Sequence, residues 1–181
     1  MAASLRVLCI SGSLRKASTN TAALEAMASL APREMRLTLY RDLAKLPPFN
    51  PDDDEEDRPK PAAVEAFRAA VEDSDAIVIA SPEYAHGIAG VLKNALDWLV
   101  ASDRFAGKPA VLINTSPRAF HAQTALREVL STMAARLVPE AFASLPLNGK
   151  VVGVNDIVSN PAYARRLSES IEALAVALRD R

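Results

Sequence analysis

LRVLCISGSLRKASTN, residues 5–20, decides how the rest of the chain is read. The first six residues are apolar except for Arg6 and have the length of a buried strand. A plain connection would then need a turn residue or two. This one instead sets out Ser11, Ser13, Ser18 and Thr19 with one glycine and Arg15, and ends on Asn20 and Thr21. Beyond it, Ala23, Ala26, Met27 and Leu30 share one face at helical spacing. A strand that leaves through hydroxyls into a helix N-terminus offers backbone N–H groups and a favourable dipole to an anion, and a phosphate monoester suits it. The same residues also read more plainly, with Ser18 as a helix cap and Ser11 and Ser13 as turn formers. Spacing alone leaves both readings open. It does exclude an ATP or GTP loop, which needs Gly-Lys-Ser/Thr, and a dinucleotide fingerprint, which needs three glycines.

Working outward, the same alternation recurs. Apolar runs at residues 35–40, 76–80 and 110–114 read as strands, and a weaker one is expected near residues 136–142. Amphipathic stripes fall between and after them: Val64, Phe67 and Val71; Leu92, Leu96 and Leu99 beside Trp98; Leu126, Val129, Leu130 and Met133; Leu167, Ile171, Leu174 and Leu178. Strand and helix in alternation predict an α/β fold, a parallel sheet with helices on both faces, because parallel neighbours need right-handed crossovers. Ligands bind such sheets outside the carboxyl ends of the strands. The loops after the first, third and fourth strands are therefore the ones that matter.

Composition narrows the function classes. Among 181 residues, 21 Lys and Arg stand against 22 Asp and Glu, so no nucleic-acid footprint is present. Residues 1–10 do not read as a secretory signal, no apolar run approaches a membrane span, and a cytoplasmic protein is expected. The single cysteine, Cys9, excludes an internal disulfide and is expected to fill core space. No linker or repeat divides the chain, which predicts one domain over residues 1–181, with residues 46–61 as a long surface loop.

The second informative stretch is SPEYAHGIAGVLKNALDWL, residues 81–99, after the third strand. Pro82, Gly87 and Gly90 hold an irregular backbone, and Tyr84 adds an aromatic edge and a hydroxyl. Such a loop can frame a flat ring. It also reads as an ordinary loop leading into an amphipathic helix with Trp98 in the core.

Together the two stretches resemble the NADPH-dependent FMN reductases, the group that includes quinone, azo and chromate reductases. Gly12, Ser13, Leu14, Arg15, Ser18 and Asn20 match the first motif; Pro82, Glu83, Tyr84, Gly90, Leu92, Lys93, Asn94, Asp97 and Trp98 match the second. Weaker agreement runs through LPPFNPD from Leu46, AGKPAVLINTS from Ala106, and LREVL from Leu126. The resemblance implies a flavodoxin-like three-layer sandwich, its five-stranded parallel sheet in the order 2-1-3-4-5. It implies FMN held noncovalently, NADPH or NADH as hydride donor, and a small-molecule acceptor such as a quinone, azo compound, metal oxyanion or free flavin. It implies a homodimer or homotetramer, and neither nucleic acid nor membrane as partner.

Carried over by position, Ser11, Ser13, Arg15, Ser18, Thr19, Asn20 and Thr21 would bind the FMN phosphate. Pro82, Glu83, Tyr84 and Ala85 would run along the isoalloxazine edge, and Ser116 would lie beside the ring. No catalytic side chain is nominated, because the flavin carries the chemistry. Two departures from the family pattern stand out. Residues 85–90 read AHGIAG where many relatives have Asn followed by a small residue and Pro-Gly, and residues 116–130 read SPRAFHAQTALREVL where relatives carry a glycine-rich loop. Arg118, Phe120 and His121 are expected to project near the flavin or the nicotinamide. A flavin-binding redox or sensory module, and a flavin-free interaction protein, are the alternatives.

Other conspicuous residues have bland expectations. His86 and His121 make a poor metal site, and no metal is expected. The acidic run at residues 52–57 lacks the glycine and closing glutamate of a calcium loop and is expected to be solvated. Lys93 and Asp97 are one helical turn apart on an exposed face.

Overall fold

The computed structural model describes residues 4–102, 104–147 and 152–180. Strand β1 (Leu5–Ser11) lies in the middle of a parallel sheet, with β2 (Met35–Tyr40) on one side and β3 (Ala76–Ala80) on the other. β6 (Pro109–Asn114) follows β3, and β6 pairs with both β7 (Arg136–Leu137) and β8 (Ala143–Ser144). The order is β2-β1-β3-β6-β7, the expected flavodoxin-like order. One detail differs. The fifth position is filled by two short strands, one after the other along β6, because a 3-10 turn at Pro139–Ala141 interrupts residues 136–142. Pro139 has no N–H to give to a ladder, and the chain leaves the sheet there.

Helices cover both faces because each central strand is apolar on both. Val7, Cys9, Val78, Ala80, Val111 and Ile113 point to one side, toward α1 (Thr19–Leu30), α5 (Val154–Val158) and α6 (Pro161–Arg179). Leu8, Ile10, Ile77, Ile79 and Leu112 point to the other, toward α2 (Ala62–Glu72), α3 (Gly90–Asp97) and α4 (Phe120–Thr132). The period-two alternation places small and branched groups against α1 and larger ones against α3. The expected helical stripes are the buried ones: Leu167, Ile171, Leu174 and Leu178 of α6 all lie in the core. Cys9 is there too, and burial pushes its thiol up to about 12. Among the described residues no helix is long and apolar enough to cross a membrane.

The segment at residues 46–61 is more ordered than a solvated loop. Asn94 on α3 donates to Pro47 O at 2.9 Å and accepts from Phe49 N at 2.7 Å, while Trp98 Nε1 donates to Pro47 O at 2.8 Å. Phe49 meets the Trp98 ring edge-on at 5.1 Å. The Asn94 and Trp98 of the second motif thus hold the LPPF segment onto α3, and Trp98 is fully buried. The acidic run is also partly tied down. Asp54 pairs with Arg68 at 2.7 Å with its side chain only 5% exposed, contrary to the expectation of a wholly solvated run. Arg68 can hold it because its guanidinium also donates to Trp98 O.

Candidate active site

At the carboxyl ends of β1, β3 and β6 the chain encloses a cleft of about 340 Å³. Its first wall is the loop after β1. Ser18 is the N-cap of α1, and its hydroxyl accepts from Thr21 N at 3.2 Å. The first intrahelical bond runs from Ala22 N to Ser18 O, so the N–H groups of Thr19 and Asn20 precede the ladder and open on the cleft those residues line. Arg15 adds a guanidinium and Ser13 a hydroxyl to the same space. The plainer reading of Ser18 is realised, since it caps the helix, and the residues that follow it line the cleft.

Ser11 and Thr21 play a different part. Their hydroxyls bond each other at 2.8 Å, and Ser11 also accepts from Ser13 N at 3.3 Å, so they shape the loop from below instead of lining the cleft. The single glycine has its own reason. Gly12 N donates to Ala80 O at 2.8 Å, and a Cβ on Gly12 would lie 2.6 Å from Ser81 Oγ, 3.1 Å from Ser81 Cβ and 3.3 Å from Leu92 Cβ. Only a bare backbone lets the first loop approach the third so closely.

The second wall is a feature that the sequence did not announce as structure. Residues 83–88 form a β-hairpin, β4 (Glu83–Tyr84) against β5 (Gly87–Ile88). Ala85 and His86 make its two-residue turn with φ of 48° and 59°. Both residues are left-handed, as a primed hairpin turn requires, and neither is the glycine or asparagine that adopts this conformation cheaply. Pro82, Glu83 and Tyr84 line the cleft; Ala85 does not. Glu83 Oε2 accepts from Ala122 N at 2.9 Å, so its carboxylate is committed to the start of α4. At the hairpin tip His86 stacks on His121 with centroids 4.4 Å apart and planes 12° apart. Both rings are exposed, and no group of three or more metal-ligating side chains occurs among the described residues.

The loop after β6 completes the cleft with Thr115, Ser116, Arg118 and Ala119. Thr115 Oγ1 donates to Asn20 Oδ1 at 3.0 Å, a buried bond that joins the first and fourth loops across 95 positions of sequence. Thr115 was not anticipated, although a hydroxyl two positions after the all-apolar AVLI of a central strand was the available signal. Arg118 reaches the cleft as expected, whereas Phe120 and His121 do not line it.

Arg15, the Ser13 hydroxyl and the start of α1 thus line one part of the cleft, and the hairpin and Ser116 line the rest. Those donors fit the phosphate of FMN, and the remaining walls fit its ring.

Comparison with known proteins agrees. A 2-hydroxy-1,4-benzoquinone reductase of a Burkholderia species is 30% identical over 183 aligned positions, 98% of each chain. An NAD(P)H-dependent FMN reductase of Pseudomonas aeruginosa is 41% identical over 135 positions, 72% of this chain and 71% of that protein. Among solved structures, the flavoenzyme NAD(P)H:(acceptor) oxidoreductase FerB from Paracoccus denitrificans superposes with a TM-score of 0.83 at 26% identity, covering 97% of this chain and 98% of its own. The family model described as NADPH-dependent FMN reductase matches residues 5–150, both motifs included, and it is to this family that the chain belongs.

Proposed function

We propose that the protein is an FMN-dependent NAD(P)H oxidoreductase whose acceptors are quinone-type small molecules. The carrying observation is the convergence of Arg15, Ser13 and the free N–H groups of α1 with the β4–β5 hairpin and Ser116 in one cleft. Ser13, Arg15, Ser18, Thr19 and Asn20 hold the FMN phosphate, with Ser11 and Thr21 supporting them from beneath. Pro82, Glu83 and Tyr84 border the ring, Ala85 sets the hairpin turn behind them, and Ser116 faces the ring from the opposite loop. Bound FMN supplies hydride acceptance and release. The chain's own part is to orient the flavin, with Arg118 adding positive charge at the mouth. No side chain is needed as a general acid or base.

Quinone-type acceptors are favoured by the relatives named 2-hydroxy-1,4-benzoquinone reductase and quinone reductase. Other readings remain part of the proposal: residues 1–181 form one FMN-binding domain, its extreme ends outside the described residues; the protein is cytoplasmic; and it is a homodimer or homotetramer. Flavin loading tests the core of it. Purified protein is incubated with FMN, freed of excess, and its absorption spectrum recorded before and after anaerobic NADPH or NADH. A retained yellow chromophore that bleaches is expected. Flavin held but reduced by neither nucleotide would make the protein a redox or sensory module, and no retained flavin would refute the assignment.

A further inference from the structure

The bond between the loops after β1 and β6 has a direction. Thr115 Oγ1 donates to Asn20 Oδ1 at 3.0 Å, and each residue is only 5% exposed. A carboxamide accepts at its oxygen and donates at its nitrogen, so a partner that takes one end fixes what the other end offers. With Oδ1 turned to Thr115, the end left over is Nδ2. It has no hydrogen-bond partner among the described residues, yet it is not among the buried polar atoms sealed from solvent. Asn20 lines the cleft together with Ser13, Arg15 and Thr19, so what its side chain keeps for a ligand there is a pair of N–H donors.

Thr115 is the fixed member of the pair. It follows β6 directly, its carbonyl accepts from Leu147 N at 3.3 Å, and Leu145 N donates to Asn114 O at 2.7 Å immediately before it. Its branched Cβ leaves few choices of χ1, whereas the terminal torsion of an asparagine is broad and can present either end of the amide. The cap at Ser18 sets the backbone of Asn20, and among the described residues only Thr115 holds its amide.

We propose that Thr115 is a positioning residue for FMN: by donating to Asn20 Oδ1 it keeps Nδ2 turned to the flavin phosphate, and so makes the cleft favour FMN over riboflavin. The inference rests on the FMN reading given above. A phosphate monoester near neutral pH is an acceptor and an anion, attracted by the nitrogen end of the amide and opposed by the oxygen end. Without the Thr115 hydroxyl, turning Nδ2 to the phosphate would leave Oδ1 buried with no donor.

Fluorescence titration of the flavin-free protein with FMN and with riboflavin tests this. Thr115→Val, which keeps the shape and loses the hydroxyl, should weaken FMN about tenfold and riboflavin by less than about threefold. Thr115→Ser should bind FMN within about threefold of wild type. In an Asn20→Ala background, Thr115→Val should change FMN affinity by no more than about twofold, since the group it acts through is gone. Thr115→Ala takes the place of the valine variant if that one does not fold. Equal losses of FMN and riboflavin would make Thr115 a tie between loops and nothing more, and would overturn the proposal. So would a serine variant as weak as the valine one, or a tenfold loss of FMN that persists in the Asn20→Ala background. If the wild type binds no FMN, the function proposed above falls and this inference with it; if it binds FMN with a preference over riboflavin that does not depend on Thr115, only the inference falls.

Discussion

The two walls of the candidate flavin cleft are built by different means. The loop after β1 is held by bonds between near neighbours: Ser11 with Ser13 and Thr21, Ser13 with Arg15, Ser18 with Thr21. The hairpin at residues 83–88 is held from outside, by Glu83 on the start of α4 and by His86 on His121. The first wall is at ease in its conformation, while the second keeps two non-glycine residues at positive φ. Where the backbone asks for nothing unusual, local hydrogen bonds form most of the loop, with Gly12 N on Ala80 O and Thr115 on Asn20 as its long-range ties. Where it does, distant elements must supply the restraint.

The largest effect that would break this comparison belongs to Gly12, where the first loop meets Ser81 and Leu92 on either side of the hairpin in sequence. Gly12→Ala should destabilise the fold by about 1–3 kcal/mol, because Ser81 Cβ and Leu92 Cβ cannot swing aside as Ser81 Oγ can. Thermal unfolding and flavin retention should fall together. A variant with wild-type stability and flavin content would show that the approach of Gly12 to Ser81 and Leu92 is not a tight one.

Arg15→Ala addresses the local wall alone. Loss of a charge-assisted contact of about 1.5–3 kcal/mol predicts flavin affinity weakened by roughly ten- to a hundredfold, measured by fluorescence titration. Arg15 is exposed and makes no side-chain bond among the described residues, so the melting temperature without flavin should not move.

Glu83→Ala addresses the remote restraint. Removing the acceptor at the start of α4 should cost about 0.5–2 kcal/mol of stability, while Glu83→Gln, which keeps an oxygen there, should recover most of it. Equal losses in both variants would assign the effect to charge instead of the hydrogen bond.

The smallest effect sharpens the contrast by relief. Ala85→Gly removes the side chain from a residue at φ 48° and should raise stability by up to about 1 kcal/mol in a denaturant titration. A loss of stability would mean that the turn is not strained at that position.

How much of this was legible in the sequence varies by element. The strand at residues 76–80 coincides with the apolar run that suggested it, since a strand buried on both faces needs no partner to look like one. The hydroxyl loop was equally legible, because a cap and its helix are adjacent in sequence. The hairpin was not. Ala85-His86 carries none of the residue types that signal a primed turn, and its geometry depends on α4. Asp54 is a further instance: within DDDEED nothing distinguishes it from its neighbours until Arg68 and Trp98 are brought beside it.

By itself, then, the sequence determined the parallel sheet, the helices on both faces, the hydroxyl-rich loop that caps α1 and the family. Each rests on periodicity or on groups within a few residues of one another. Only the tertiary structure decided that Asn20 and Thr115 would join, that Glu83 would serve α4, that the fifth sheet position would be shared by two short strands, and which polar residues would face a cleft. Those outcomes depend on segments 39 and 95 residues apart meeting at one end of the sheet. A hydrogen bond across such a gap is set by how the crossovers pack, and no local pattern encodes it.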